Sequence, residues 1–367
     1  MATDIDTDEA AAHRMFRSYD GMEGLPEAPA AAATRAGFPG LNLVRKVYAG
    51  VLAAITVALA ATWLGQHYTA PVMLFALLIG MAFHFLHEEG PCVAGIEFAS
   101  KAVLRTGVAL LGARITAQQI LALGATPILM VIVGVASTIA AGVLVSRALG
   151  LSRSFGVLSG GAVGICGASA ALAIASVLPK TKDSERDVIL AVVVVTGLST
   201  LAMILYPMLV TALGFDHQRA GLFLGGTIHD VAQVVGAGYM ISQKTGDVAT
   251  YVKLLRVAML LPVVGVIALV VARGKGGGAV GGRAPIPWFL AGFAALVALN
   301  SLGLFSKPVV DAASDVSRWC LVTAISALGM KTSFKDLVAA GWRPVALMVV
   351  ETAWIAALVL GVVVFFT

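Results

Sequence analysis

The residues best able to do chemistry are few, and they sit in an otherwise apolar chain. His229, Asp230 and Gln233 fall within the string GTIHDVAQVV. His229 and Gln233 are four residues apart and would share one helix face. Charge at membrane depth costs roughly a few kcal/mol and so tends to be functional. An imidazole beside a carboxylate suits a proton relay, because imidazole titrates near neutrality. The same residues could instead be a hydrogen-bonded cluster tying helices together. A second string, GGAVGICGASA, sets Gly160, Gly161, Gly164 and Gly167 beside Cys166 and Ser169. Each glycine weakens a helix by about 1 kcal/mol against alanine. Two readings are open: small faces for close helix packing, or an unwound stretch whose N–H groups and half-helix N-terminus face an anion.

Arg105, Arg256 and Arg318 lie inside or near apolar stretches, with Lys101 and Lys253 one turn before two of them. The planar guanidinium fork suits oxyanions, so Arg105 and Arg256 are read as inward anion or ion-pair groups. Lys253, near a helix start, is read as snorkelling to the interface. Glu351 could pair with a buried arginine or carry a coupling proton. Asn300 could cap its segment or line a cavity. His84, His87, Glu88 and Glu89 read as an interfacial cluster. Cys92, Cys166 and Cys320 form no CxxC pair, which argues against disulfide or zinc chemistry. No Walker A, GxSxG or HExxH string occurs, so the reading is not an enzyme, with no metal and no cofactor.

These residues must be positioned by a membrane-embedded scaffold. Of 367 residues, 59% are hydrophobic and only 12% charged, and the mean hydropathy is +0.93. A soluble chain of this length would need far more polar surface. Long continuous apolar runs, rather than alternation, exclude a porin-type barrel. The net charge of +5 is what basic loops of a membrane protein supply, and nucleic acid is not needed to explain it. The expected fold is an all-α polytopic membrane protein. Residues 1–44 read as a mobile cytoplasmic tail, and residues 45–367 as the transmembrane domain. About eleven spans are predicted, near 47–65, 71–87, 95–113, 125–146, 154–178, 187–211, 218–241, 250–272, 286–304, 309–330 and 344–366. Loop charges favour a cytoplasmic N-terminus. The loop from Pro179 to Asp187 fits poorly, and would move inside if the segment before it were re-entrant.

The chain also matches itself at an offset of 217 residues. The related segments are 96–133 and 313–350; Leu111 falls on Leu328, Gly112 on Gly329, Arg114 on Lys331, Gly124 on Gly341 and Pro127 on Pro344. On the span count these copies enter the membrane from opposite sides, the plan of an inverted-topology repeat. A shorter match joins Gly156–Ala170 to Gly221–Val235. On that count the two segments run in the same direction, so this match does not fit the same symmetry.

The strings GGAVGICGASAALA, GTIHDVAQVVGAG, LRTGVALLGARIT, VKLLRVAMLLP and SALGMKTSFKDL together resemble the YeiH-type family (UPF0324) of bacterial inner-membrane proteins, usually labelled sulfate exporters. The resemblance covers about residue 45 to the end. It departs at Asp230, where many members carry glutamate. It implies kinship with inverted-repeat carriers that use two discontinuous helices crossing at mid-membrane. The resulting expectation is a secondary transporter of the plasma membrane for a small anion, sulfate or sulfonate-like. Gly160, Gly161, Cys166, Gly167, Ser169, His229, Asp230, Gln233, Arg105 and Arg256 would bind it. His229, Asp230, Glu351, Arg318 and Asn300 would serve coupling or ion pairing. Its partners would be the anion, a proton or sodium ion, the lipid bilayer and, in a homodimer, a second copy. A cation/proton antiporter or an anion channel of the same fold is the alternative.

Overall fold

The computed structural model describes residues 39–68, 71–179, 181, 183–274, 288–332 and 341–366, with side chains from residue 44 onward and excluding 272–274. Most of the expected tail lies outside the described residues, as do the basic residues Lys180, Lys182, Lys275, Arg283 and Lys335. Among the described residues the only regular structure is helix. Five stretches are long and apolar enough to cross a membrane: Val44–His67, Thr126–Ala148, Ser184–Ala212, Gln243–Val271 and Trp342–Phe366. Leu52, Leu59, Leu129, Val133, Leu205, Met208, Leu269 and Val270 point outward, while Thr138, Ser159, Thr200, His229, Gln233, Lys253, Arg256 and Glu351 are buried. Apolar side chains outside and polar ones inside are the arrangement of a membrane protein, since lipid rather than water covers the surface.

The helices form two groups. The first group comprises α1 (Pro39–His67), α2 (Val72–Ala82), the short α3 (Phe85–Glu88), α4 (Val93–Phe98), α5 (Leu104–Leu111), α15 (Trp288–Ser301) and α16 (Lys307–Lys331). A π-helical turn, Ala99–Val103, joins α4 to α5. Ala54, Val57, Ile96, Ala99, Ala327 and Met330 make its local core. The second group comprises α7 (Thr126–Ala148), α8 (Arg153–Gly164), α9 (Ala168–Val177), α10 (Ser184–Ala212), α11 (His217–Thr227), α12 (Val231–Ile241), α13 (Gln243–Ala258), α14 (Leu260–Gly274) and α17 (Trp342–Phe366). In the chain, α6 (Ala117–Leu121), opened by a capping box of Thr116 and Gln119, links α5 to α7 and packs on α15. The second group meets the first through α12, which packs on α2 and α16.

Two segments counted among the spans, 154–178 and 218–241, for which the sequence leaves a full span and a re-entrant course both open, double back. Ser242 Oγ at the end of α12 lies 3.1 Å from His217 Nδ1 at the start of α11, so residues 217–241 form a hairpin. Both arms lie along α13: Gly221 faces Val248, and Gly238 faces Gly246. Residues 153–177 fold likewise, because Gly161 of α8 faces the side chain of Ile174 of α9. An arm of 11 residues reaches about 16 Å, roughly half of a hydrocarbon core about 30 Å thick. Each of the remaining expected spans overlaps a helix among the described residues.

The helices that carry the two copies of the longer sequence match touch one another. Gly134 faces Ile355 and Gly142 faces Glu351, so α7 and α17 are antiparallel. Trp354 Nε1 donates to Ser137 Oγ at 3.1 Å, joining residues 217 apart. Glu97 pairs with Lys331, and Ser317 Oγ donates to the Gly107 carbonyl, so the α4–α5 run and α16 are antiparallel too.

Close approach of α7 and α8 depends on glycine. A Cβ at Gly142 would meet the Gly156 carbonyl and the Glu351 carboxylate, and one at Gly156 would meet the Gly142 carbonyl. Gly142→Ala and Gly156→Ala are each expected to lower stability by about 1–3 kcal/mol through overpacking. Gly361→Ala, which meets nothing within 4 Å, should be neutral. Thermal unfolding of the detergent-solubilised variants checks the contrast.

Candidate functional site

The hairpin tips end their helices in different ways. At the first tip α8 stops at Gly164, and Gly167 takes φ +70°, the left-handed region that favours glycine. The Gly167 N–H reaches back to the Ala162 carbonyl at 2.8 Å. At the second tip, Ile228 and Asp230 are extended. Asp230 then caps α12, its carboxylate accepting from the Ala232 N–H at 2.8 Å. Each break leaves carbonyls of the preceding helix without intrahelical partners. With no water in the hydrocarbon, the protein itself must supply donors.

Lys253 and Arg256 of α13 supply them. They are three residues apart, on one helix face, and almost wholly buried. Lys253 Nζ donates to the Ile165 carbonyl at 2.7 Å, to the Ile228 carbonyl at 3.1 Å and to the His229 carbonyl. Arg256 Nε donates to Gly164 at 2.8 Å and Nη2 to Val163 at 2.7 Å. Its Nη1 reaches Gly225 at 3.3 Å and Ile228 at 3.1 Å. Two cations thus hold the carbonyl ends of α8 and α11 together. Because both helix C-termini carry partial negative charge, the placement is favourable electrostatically as well as by hydrogen bonding.

The other groups around the tips are also engaged. His229 Nδ1 lies 3.2 Å from the Val163 carbonyl, and Nε2 lies 3.0 Å from Thr352 Oγ1. The neutral imidazole with its proton on Nδ1 satisfies both, donating to Val163 and accepting from Thr352. Ser199 Oγ accepts from the Asp230 N–H at 3.0 Å. Gln233 Nε2 donates to Thr200 Oγ1 at 2.8 Å, while its buried Oε1 has no hydrogen-bond partner. Glu351 accepts from Ser159 Oγ at 2.7 Å, and its second oxygen is buried without a partner.

One helix end at the tips is different. The N-terminus of α9 carries no side-chain cap. Ser169 in its first turn is exposed, and Asp230 is partly exposed. Ser169 Oγ donates to the Cys166 carbonyl at 3.2 Å and lies 3.0 Å from Cys166 Sγ. Gly160 and Gly161 serve packing: Gly160 sits against the backbone of Thr138 and Ile139, and Gly161 admits Ile174.

The structure brings Gly167, Cys166, Ser169, His229, Asp230, Gln233 and Arg256 to the two tips, and leaves other expected residues elsewhere. The Arg105 guanidinium lies 6.0 Å from the Phe289 ring, at the α5–α15 contact. Arg318 lines a separate cavity of about 690 Å³, shared with Arg114, Tyr239, Asp311 and Asp315. Asn300 Nδ2 donates to the Ile115 carbonyl at 3.3 Å. Arg256 is committed to four carbonyls rather than offering an open fork. Lys253 does not snorkel; it is fully buried at the crossing. Its spacing from Arg256 was the available signal. Ser199, Thr200 and Thr352 were missed, because hydroxyls on apolar helices carry no spacing signature.

The family described as Conserved hypothetical protein 698 matches residues 49–348. A UPF0324 membrane protein of Chlorobaculum tepidum is 56% identical, covering 90% of this chain and 95% of its own. The UPF0324 membrane protein TauZ of Paracoccus pantotrophus is 50% identical, covering 88% of this chain and 96% of its own. A UPF0324 membrane protein of Rhizobium meliloti is 49% identical, covering 88% and 94%. No solved structure matches the chain.

Arg256→Ala is expected to destabilise the protein by about 4 kcal/mol or more, since four carbonyl contacts lose a charged donor at about 1 kcal/mol or more each. Arg256→Lys keeps the charge but not the fork. Its melting temperature in detergent should fall between those of wild type and Arg256→Ala.

Proposed function

We propose, from the premise that this chain belongs to the UPF0324 family of membrane proteins, that it is a secondary active transporter moving a small anion, sulfate or sulfonate-like, across the bacterial plasma membrane with proton coupling. The observation that carries the reading is the uncapped N-terminus of α9 at a hairpin tip, with Ser169 exposed beside it. Free N–H groups and the positive end of a helix attract anions. Lys253 and Arg256 add two fixed positive charges at the same crossing, and Asp230 offsets one.

The architecture supports the same reading. The pairings of α7 with α17 and of the α4–α5 run with α16 are antiparallel, as inverted copies would be. A hairpin returns the chain to the side it came from, so residues 153–177 and 217–241, separated by the crossing helix α10, open from opposite sides. That accommodates the shorter match between Gly156–Ala170 and Gly221–Val235. It also puts Arg186 on the side of Arg147 and Arg153, which the positive-inside rule names the cytoplasm. Rocking of one helix group against the other around the tips would give alternating access.

In this reading the α9 N–H groups and Ser169 hold the anion, and Lys253 and Arg256 balance its charge from behind the carbonyls. Asp230, with His229 beside it, takes the coupling proton at the open edge, and Glu351 is a second carrier. Arg105, Arg318 and Asn300 lie outside the binding step.

Purified protein in liposomes tests this. Labelled sulfate or a small labelled sulfonate should accumulate against its gradient when a pH gradient is imposed. Ser169→Leu should lower uptake by about tenfold or more, the loss of roughly one charge-assisted hydrogen bond, without lowering the melting temperature. Asp230→Asn should remove the pH drive, and Arg105→Ala should leave uptake unchanged. Conductance without exchange would mark a channel. Sodium or potassium exchange for protons, with sulfate inert, would mark a cation antiporter. Wild-type uptake by Ser169→Leu would overturn the site.

A further inference from the structure

The oxygens around Lys253 form a cage whose chemistry extends beyond holding two helices together. Three carbonyls, from Ile165, Ile228 and His229, converge on one ammonium group. They come from two separate helix breaks, and each break lies at the partly negative end of a half-helix. An ammonium has three donors, so the set is matched. Carbonyl oxygens gathered at broken helix ends are also the ligands that sodium takes in transporters. The cage is fully buried, and the cation within it is covalently attached. Arg256 takes the Gly164 and Gly225 oxygens alone, sharing Val163 with His229 Nδ1 and Ile228 with Lys253. The Ile165 and His229 oxygens therefore depend on Lys253.

We infer that the Lys253 ammonium stands in the place of an exchangeable coupling cation: the crossing carries its own tethered cation and has no use for sodium, and removing the lysine side chain exposes a latent sodium site formed by the Ile165, Ile228 and His229 carbonyls. The inference deepens the transporter reading and rests on it for its meaning, since it narrows the coupling ion. Its test needs neither sulfate or a sulfonate nor a gradient, and chloride is the same in both arms, so a failure here and a failure of anion transport are distinguishable.

Thermal unfolding of the full chain in detergent, in sodium chloride against choline chloride at equal ionic strength, is the measurement. Wild type should melt at the same temperature in both salts. Lys253→Ala should melt lower in choline, then rise by several degrees with sodium in a saturable way, as a ligand that binds the folded state requires. Labelled sodium should bind to that variant and not to wild type. If Lys253→Ala is recovered unfolded, Lys253→Ser, whose side chain is too short to reach the three carbonyls and so leaves the cage open, is read the same way. Sodium-specific stabilisation of wild type would overturn the tethered-cation assignment. Equal melting in both salts for the folded variant would overturn the latent site.

Discussion

The structure depends on one requirement: helix ends broken inside a membrane must find donors for their carbonyls. Water would satisfy them elsewhere, but hydrocarbon offers nothing. Here the need arises twice at one place, because α8 and α11 stop after 12 and 11 residues, too short to cross about 30 Å of hydrocarbon. Lys253 and Arg256 meet it together, from a single face of α13. The solution is electrostatically consistent, since cations sit at helix C-termini. It is also mutual, since burying two cations would be unfavourable without seven carbonyl contacts to receive them.

Much of the remaining architecture serves that crossing. The hairpin of residues 217–241 straddles α13, so its two arms bring Ile228 and His229 over Lys253. Gly221, Gly225 and Gly238 let the arms lie against α13 with little between the backbones. The capping of α12 by Asp230 and of α13 by Ser242 fixes where each arm begins and ends. His229 then ties the second tip to α8 through Val163 and to α17 through Thr352. The α9 N-terminus is the helix end at the tips that no side chain caps, which leaves it as the place where something outside the protein would be felt.

The scaffold was largely legible in the sequence, because apolar runs near 20 residues leave few options in lipid. The two glycine-rich strings were also legible as unusual. What they do was not. Whether Gly167 and the Ile228–Asp230 stretch bend a helix slightly or reverse it depends on the contacts that receive each arm, and local propensity does not hold that information. Lys253 was misread for a related reason. A lysine near a helix start usually reaches for the interface, and only the tertiary meeting of two distant helix ends makes a buried ammonium favourable. Arg105 shows the converse: an arginine in an apolar run, yet placed against Phe289 and away from the tips.

Reversal of the two segments also accounts for features that straight spans left in conflict. If residues 153–177 crossed the membrane, Arg186 would lie opposite Arg147 and Arg153. Doubling back puts all three on one side, with α10 crossing afterwards. The second hairpin then begins and ends on the far side, which carries Arg219 and Lys244. Charge asymmetry and the glycine-rich match both become simpler under one geometric change, and that change is dictated by the backbone at two short breaks. The polarity of the loops is in this sense a consequence of the same carbonyl ends that Lys253 and Arg256 hold together.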